Sequence, residues 1–97
     1  MKTPYWFKHR STPGHGYYSV DAAHFRTMQE EHPEFVAPGR FYRGYNSFEE
    51  DCEVNRIILA FPDSFETKWV EQAMSWLING HPDMYTEYTG LSPAPLE

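Results

Sequence analysis

Between Tyr45 and Phe61 the chain changes character within one stretch, and that change limits what the whole can fold into. The first part holds Glu49, Glu50, Asp51 and Glu53 around the only cysteine, Cys52. The last five residues, Ile57-Ile58-Leu59-Ala60-Phe61, are wholly apolar and belong to the core in any fold of this chain. Pro62 then breaks the conformation that precedes it. Val54, Ile57, Ile58 and Phe61 stand at i, i+3, i+4 and i+7, one face of a helix. Asp51 would cap that helix, and Glu53 would lie in its first turn, where a carboxylate favours the helix dipole. The same apolar run also suits a short buried strand. The capping signal favours the helix.

The flanking segments fill in the fold. Asp63 with Glu66 three residues on, or Ser64 alone, gives a helix start. Phe65, Trp69, Ala73 and Trp76 form one stripe, with Val70, Met74 and Leu77 beside it. This helix is expected to run from Phe65 to Asn79, with Gly80 as a left-handed cap. Pro82 suits the first turn of a short final helix, Asp83 to Thr89, closed by Gly90. Upstream, Tyr5 to His9 and Tyr17 to Val20 have strand propensity. The turn-rich segment Ser11 to Gly16 would join them as a hairpin with a long loop. Asp21 caps a helix carrying Phe25 and Met28, which Pro33 stops near Glu31. Arg40 to Arg43 and Tyr45 to Glu49 have strand character, interrupted at Gly44. The sum is an α+β fold: a small antiparallel sheet of two to four short strands packed against three or four helices. Residues 1–91 read as one compact domain and residues 92–97 as a loose tail.

At 97 residues the chain suits one domain. A chain of this size buries about 60–65% of its unfolded surface, so the 18% aromatic content matters to the core. Fourteen acids against eight bases give a formal charge of −6. That balance disfavours direct nucleic-acid binding, which needs clustered Lys and Arg, and suits a basic protein partner. A single cysteine excludes an intrachain disulfide and fits a reducing compartment. No apolar run approaches the roughly 20 residues a membrane span needs. The expectation is a soluble cytoplasmic protein with no membrane partner.

Few residues carry a catalytic pattern. Adjacent acids point in several directions, whereas a metal needs ligands converging from separate places. Carboxylates surround Cys52 in the sequence and would disfavour its thiolate. His9, His15, His24, His32 and His81 show no pair at helical zinc-ligand spacing. Pro13-Gly14-His15-Gly16 lacks the Gly-Lys-Ser/Thr ending of a phosphate loop. No cofactor is expected. Tyr5, Trp6, Tyr17, Tyr18, Phe41, Tyr42 and Tyr45 concentrate aromatics in the N-terminal half, and strand alternation places about half of them outward.

The Pro13-Gly14-His15-Gly16-Tyr17 turn and the Tyr45-x-x-Phe48-Glu49-Glu50-Asp51-Cys52 stretch resemble small uncharacterised proteins encoded by bacteriophages and their plasmid relatives. The resemblance covers residues 13 to 62 and brings no catalytic or binding residues with it. It implies a phage context, in which small acidic proteins are often inhibitors that dock on a host machine, anti-CRISPR and other anti-defence proteins among them. The expected function is therefore a non-enzymatic interaction protein that inhibits a host protein or ribonucleoprotein complex, acting in the host cytoplasm. Its contact face would use Glu49, Glu50, Asp51 and Glu53 with Tyr18, Tyr42 and Tyr45. Two alternatives stand beside it. One is a small enzyme or metal-dependent regulator using Cys52, His15 and the acids. The other is an assembly subunit, a homodimer through the Trp69/Trp76 helix, whose apolar residues lie on more than one side.

Overall fold

A computed structural model provides the architecture and describes residues 3–36, 47–49 and 53–91. The chain is α+β, with a three-stranded antiparallel sheet and four α-helices among the described residues. Strands β1 (Phe7–Thr12) and β2 (His15–Val20) form a hairpin in which Thr12 faces His15. The loop is thus only Pro13-Gly14, and the expected long connection is corrected. Proline at the first position and a glycine at φ 89° at the second have the chemistry of a type II turn. That turn closes in two residues, which frees Ser11, Thr12, His15 and Gly16 to join the ladder.

Helix α1 (Ala22–Glu31) begins as expected at Asp21, whose carboxylate accepts from the His24 amide at 2.8 Å. It ends at His32, one residue before Pro33. Strand β3 (Ser47–Glu49) pairs with β2, so the order is β1-β2-β3 with β2 in the middle. The strand character assigned to Arg40–Arg43, and its interruption at Gly44, lie outside the described residues.

Helix α2 (Val54–Ala60) resolves the helix-or-strand alternative for the apolar run. Ile57, Ile58 and Leu59 are buried, and Ala60 and Phe61 pack on the core half-buried. Glu53 occupies the cap position without a side-chain capping bond, and Asp51 lies outside the described residues. A 3-10 turn, Pro62–Ser64, leads to helix α3 (Thr67–Gly80). The expected start at Phe65 is corrected. The turn begun by Pro62 consumes Asp63 and Ser64, Phe65 is extended and buried, and the helix opens after Glu66 with no side-chain cap.

The left-handed cap expected at Gly80 is also corrected. Gly80 is the last residue of α3, and the chain leaves through His81 at φ −141°, whose amide donates to the Leu77 carbonyl at 2.8 Å. Pro82 supplies the reason: a residue before proline is pushed out of helical space, so the helix stops without a left-handed glycine. Helix α4 (Pro82–Thr89) does end on one, Gly90 at φ 76°.

One apolar cluster joins these elements. Met28, Phe35, Phe48, Ile57 and Leu77 are fully buried within it. Phe7 on β1 meets Phe65 at 4.9 Å and Trp69 on α3 at 6.5 Å between ring centroids. Phe25 on α1 reaches Phe48 on β3 at 6.2 Å. The sheet is thereby tied to three separate segments by aromatic contacts.

Candidate functional site

The sheet, α2 and α3 leave a groove of about 380 Å³ between them. Tyr18 lines it from β2, Val54, Asn55 and Ile58 from α2, and Trp69, Gln72 and Trp76 from α3. The α3 residues share the groove because of helical spacing, since 69, 72 and 76 lie on one side. Trp69 stacks near Phe65 at 6.0 Å and 13°, which holds its ring beside the core. Tyr18 stacks on Phe7 at 4.5 Å and 7°. The groove is thus walled by half-buried aromatic rings, with the side-chain amides of Asn55 and Gln72 as its polar groups. Such a lining suits an apolar side chain whose backbone seeks hydrogen bonds.

Trp76 is fixed from two sides. The His81 ring lies 4.4 Å away, and the Arg56 guanidinium carbon sits 5.8 Å from the centre of its ring. Arg56 is a hub. It pairs with Glu53 through Nε and donates through Nη1 to the Phe35 carbonyl at 2.8 Å, with Met84 Sδ at 3.8 Å. One side chain therefore links α2, α4 and the 32–36 turn. Nothing in the local pattern marks Arg56 for this role.

Of the residues expected in the contact face, Tyr18 lies in the groove. Glu53 precedes Val54 at the groove's α2 wall, half-buried, with its carboxylate engaged by Arg56 rather than standing in an open rim. Glu49 is at the end of β3, opposite Tyr17. Glu50, Asp51, Tyr42, Tyr45 and Cys52 lie outside the described residues. His15 is placed by register opposite Thr12 at the hairpin turn.

Two histidines have defined partners that spacing did not reveal. His24 Nδ1 bonds to Asp21 Oδ1 at 2.7 Å, and its ring stacks on Trp6 at 4.1 Å and 11°. The Asp21 carboxyl is held below its ordinary value, first by the His24 amide and then by the His24 ring. His32 Nδ1 lies 3.1 Å from Glu34 Oε2, beside Tyr88. Tyr88 donates its hydroxyl to the Leu59 carbonyl at 2.7 Å, and burial, then the Glu34 charge, raises its pKa. Both pairs close a helix end or pin a turn. Among the described residues no three of His, Cys, Asp and Glu come together as a metal site.

Charge is segregated along the chain in a way the net value hides. Residues 1 to 20 carry Lys2, Lys8 and Arg10 and no carboxylate, so all fourteen acids lie beyond Val20. Lys8 and Arg10 are exposed on β1.

These features define a small α+β domain with an aromatic groove between its sheet and two of its helices. The chain belongs to the family described as Domain of unknown function (DUF7007), whose model matches residues 7–97. No curated protein and no solved structure matches it. Among the described residues no helix is long and apolar enough to cross a membrane.

Proposed function

We propose that this domain is a non-enzymatic protein-interaction module. Its groove takes an apolar side chain from a partner segment, and Glu49, Glu50 and Asp51 are assigned to that segment's Lys or Arg. The observation that carries the reading is the groove itself, which Tyr18, Trp69 and Trp76 line half-buried. Trp and Tyr are enriched among binding hot spots. The acids speed encounter with a basic partner and fix its register more than they add affinity. In the form implied by the resemblance to phage proteins, the partner is a host protein or ribonucleoprotein complex, and docking inhibits it.

Gln72 is exposed in the groove, and a longer charged side chain there blocks entry with little cost to the fold. Affinity capture with the unaltered chain, Gln72→Lys and the triple variant Glu49→Lys, Glu50→Lys, Asp51→Lys compares the two halves of the reading. Both variants are expected to lose the captured partner while keeping the unaltered thermal transition. Capture of the same partner at equal yield by folded variants sinks the reading.

A further inference from the structure

We infer that the domain binds a free α-amino acid with an aromatic side chain, in a second pocket at the end of the sheet where the chain enters β1. This inference is independent of the groove reading above. The pocket measures about 460 Å³ and is lined by Tyr5, Trp6, Lys8, Ser19, Val20 and Asp21. It shares none of these residues with the groove.

The local fold makes the pocket. The Phe7 amide donates to the Pro4 carbonyl at 3.1 Å, a tight turn with Tyr5 and Trp6 at its corner. Trp6 turns inward, 8% exposed, with its ring stacked on that of His24 at 4.1 Å. Tyr5 stays outside at 81% exposure. A lone exposed apolar residue is ordinary. This one borders a cavity that also holds charges of both signs. Lys8 faces Ser19 across the β1–β2 ladder. Asp21 follows Ser19 by two residues in extended backbone, so its side chain leaves on the same side. Lys8 and Asp21 are thus diagonal neighbours, about 7–8 Å apart.

Both charges can take a ligand. Lys8 is exposed, and among the described residues no carboxylate pairs with its ammonium. Asp21 accepts the His24 amide and ring nitrogen on one oxygen, Oδ1, which leaves Oδ2 for a further donor. The His24 amide, then its ring, hold the Asp21 carboxyl below its ordinary range, so the anion persists at mildly acid pH. A ligand of one sign would be attracted by one of these residues and repelled by the other. A zwitterion satisfies both. Its carboxylate meets the Lys8 ammonium and the Ser19 hydroxyl, and its ammonium meets Asp21 Oδ2. The Tyr5 ring, beside Trp6, takes the aromatic side chain. The cavity lies toward the small end of ligand sites, which suits one amino acid.

Calorimetric titration of the full chain with L-phenylalanine tests this. Three comparison ligands each lack one feature: L-phenylalaninamide the carboxylate, N-acetyl-L-phenylalanine the ammonium, and L-alanine the ring. L-phenylalanine should bind about tenfold more tightly than each of them. Lys8→Gln, at an exposed position, should bind L-phenylalanine and its amide equally, because the group that tells them apart is gone. Asp21→Asn should likewise erase the preference over the N-acetyl form, and if it fails to fold, Lys8→Gln decides. Tyr5→Ala should weaken L-phenylalanine about tenfold and leave the thermal transition unchanged. Absence of L-phenylalanine binding at millimolar concentration overturns the inference. So does equal binding of the amide or the N-acetyl form by the unaltered chain, which would mark a reader of peptide ends. Unchanged affinity and unchanged ligand preference in folded Lys8→Gln overturns it too.

Discussion

At the scale of single residues, the clearest device is Asp21. It accepts from both the amide and the ring of His24, so its ionised form is favoured in the folded chain, and its pKa falls below the ordinary 3.8. Linkage sets the sign. Stability from a depressed carboxyl is fully present above the ordinary value and is lost as pH falls through the folded value. Asp21→Asn keeps an oxygen that can accept at the helix start but removes the charge. Thermal unfolding between neutral and strongly acidic pH should therefore show a shallower acid loss in Asp21→Asn than in the unaltered chain. Equal acid slopes would show that the pair does not contribute. Asp21 was legible as a cap because capping depends on one residue and the next turn. The stacking of His24 on Trp6 was not, because Trp6 is 18 positions away and reaches α1 only after the hairpin has folded.

At the scale of elements, the two helix-end glycines behave oppositely. Gly80 lies within α3 at a negative φ, and an added Cβ would meet nothing within 4 Å. Gly90 caps α4 at φ 76°, where any side chain strains the backbone. Gly80→Ala is expected to stabilise by about 0.5 kcal/mol through the unfolded state. Gly90→Ala should destabilise by about 1 kcal/mol, since an L residue resists the left-handed region. Urea titrations of the two variants check both signs, and equal signs would contradict the assigned helix ends. Sequence pattern treated the two glycines alike, as a Gly at the end of an apolar periodicity. The difference lies in the residues just beyond each: Pro82 ends α3 by restricting His81, whereas Gly90 is succeeded by Leu91, which imposes no such restriction.

At the scale of the whole molecule, one cluster holds sheet and helices together, so a truncation at its centre should be felt everywhere. Ile57 is fully buried there, and Ile57→Ala is expected to cost about 2–5 kcal/mol. Against a total stability of about 5–15 kcal/mol for an ordinary domain, that is a large share. Circular dichroism and tryptophan fluorescence should lose their signals together on denaturation, the mark of one cooperative unit. Separate transitions for helix and aromatic signals would contradict a single core.

The sequence by itself determined the α+β class, the hairpin, the core role of Ile57 to Leu59, and the boundaries at Asp21, Pro33 and Gly90. All of these rest on interactions within about one helical turn or on the burial of an apolar run, so short-range pattern suffices. Tertiary structure decided that the Tyr45–Phe61 stretch ends as a helix, that Arg56 spans 21 residues to the Phe35 carbonyl, and that Trp69, Trp76 and Tyr18 share one groove. It also set β1 and β3 on either side of β2 in one sheet. Those outcomes depend on which distant segments pack together, and loop closure over tens of residues leaves no local periodicity to read.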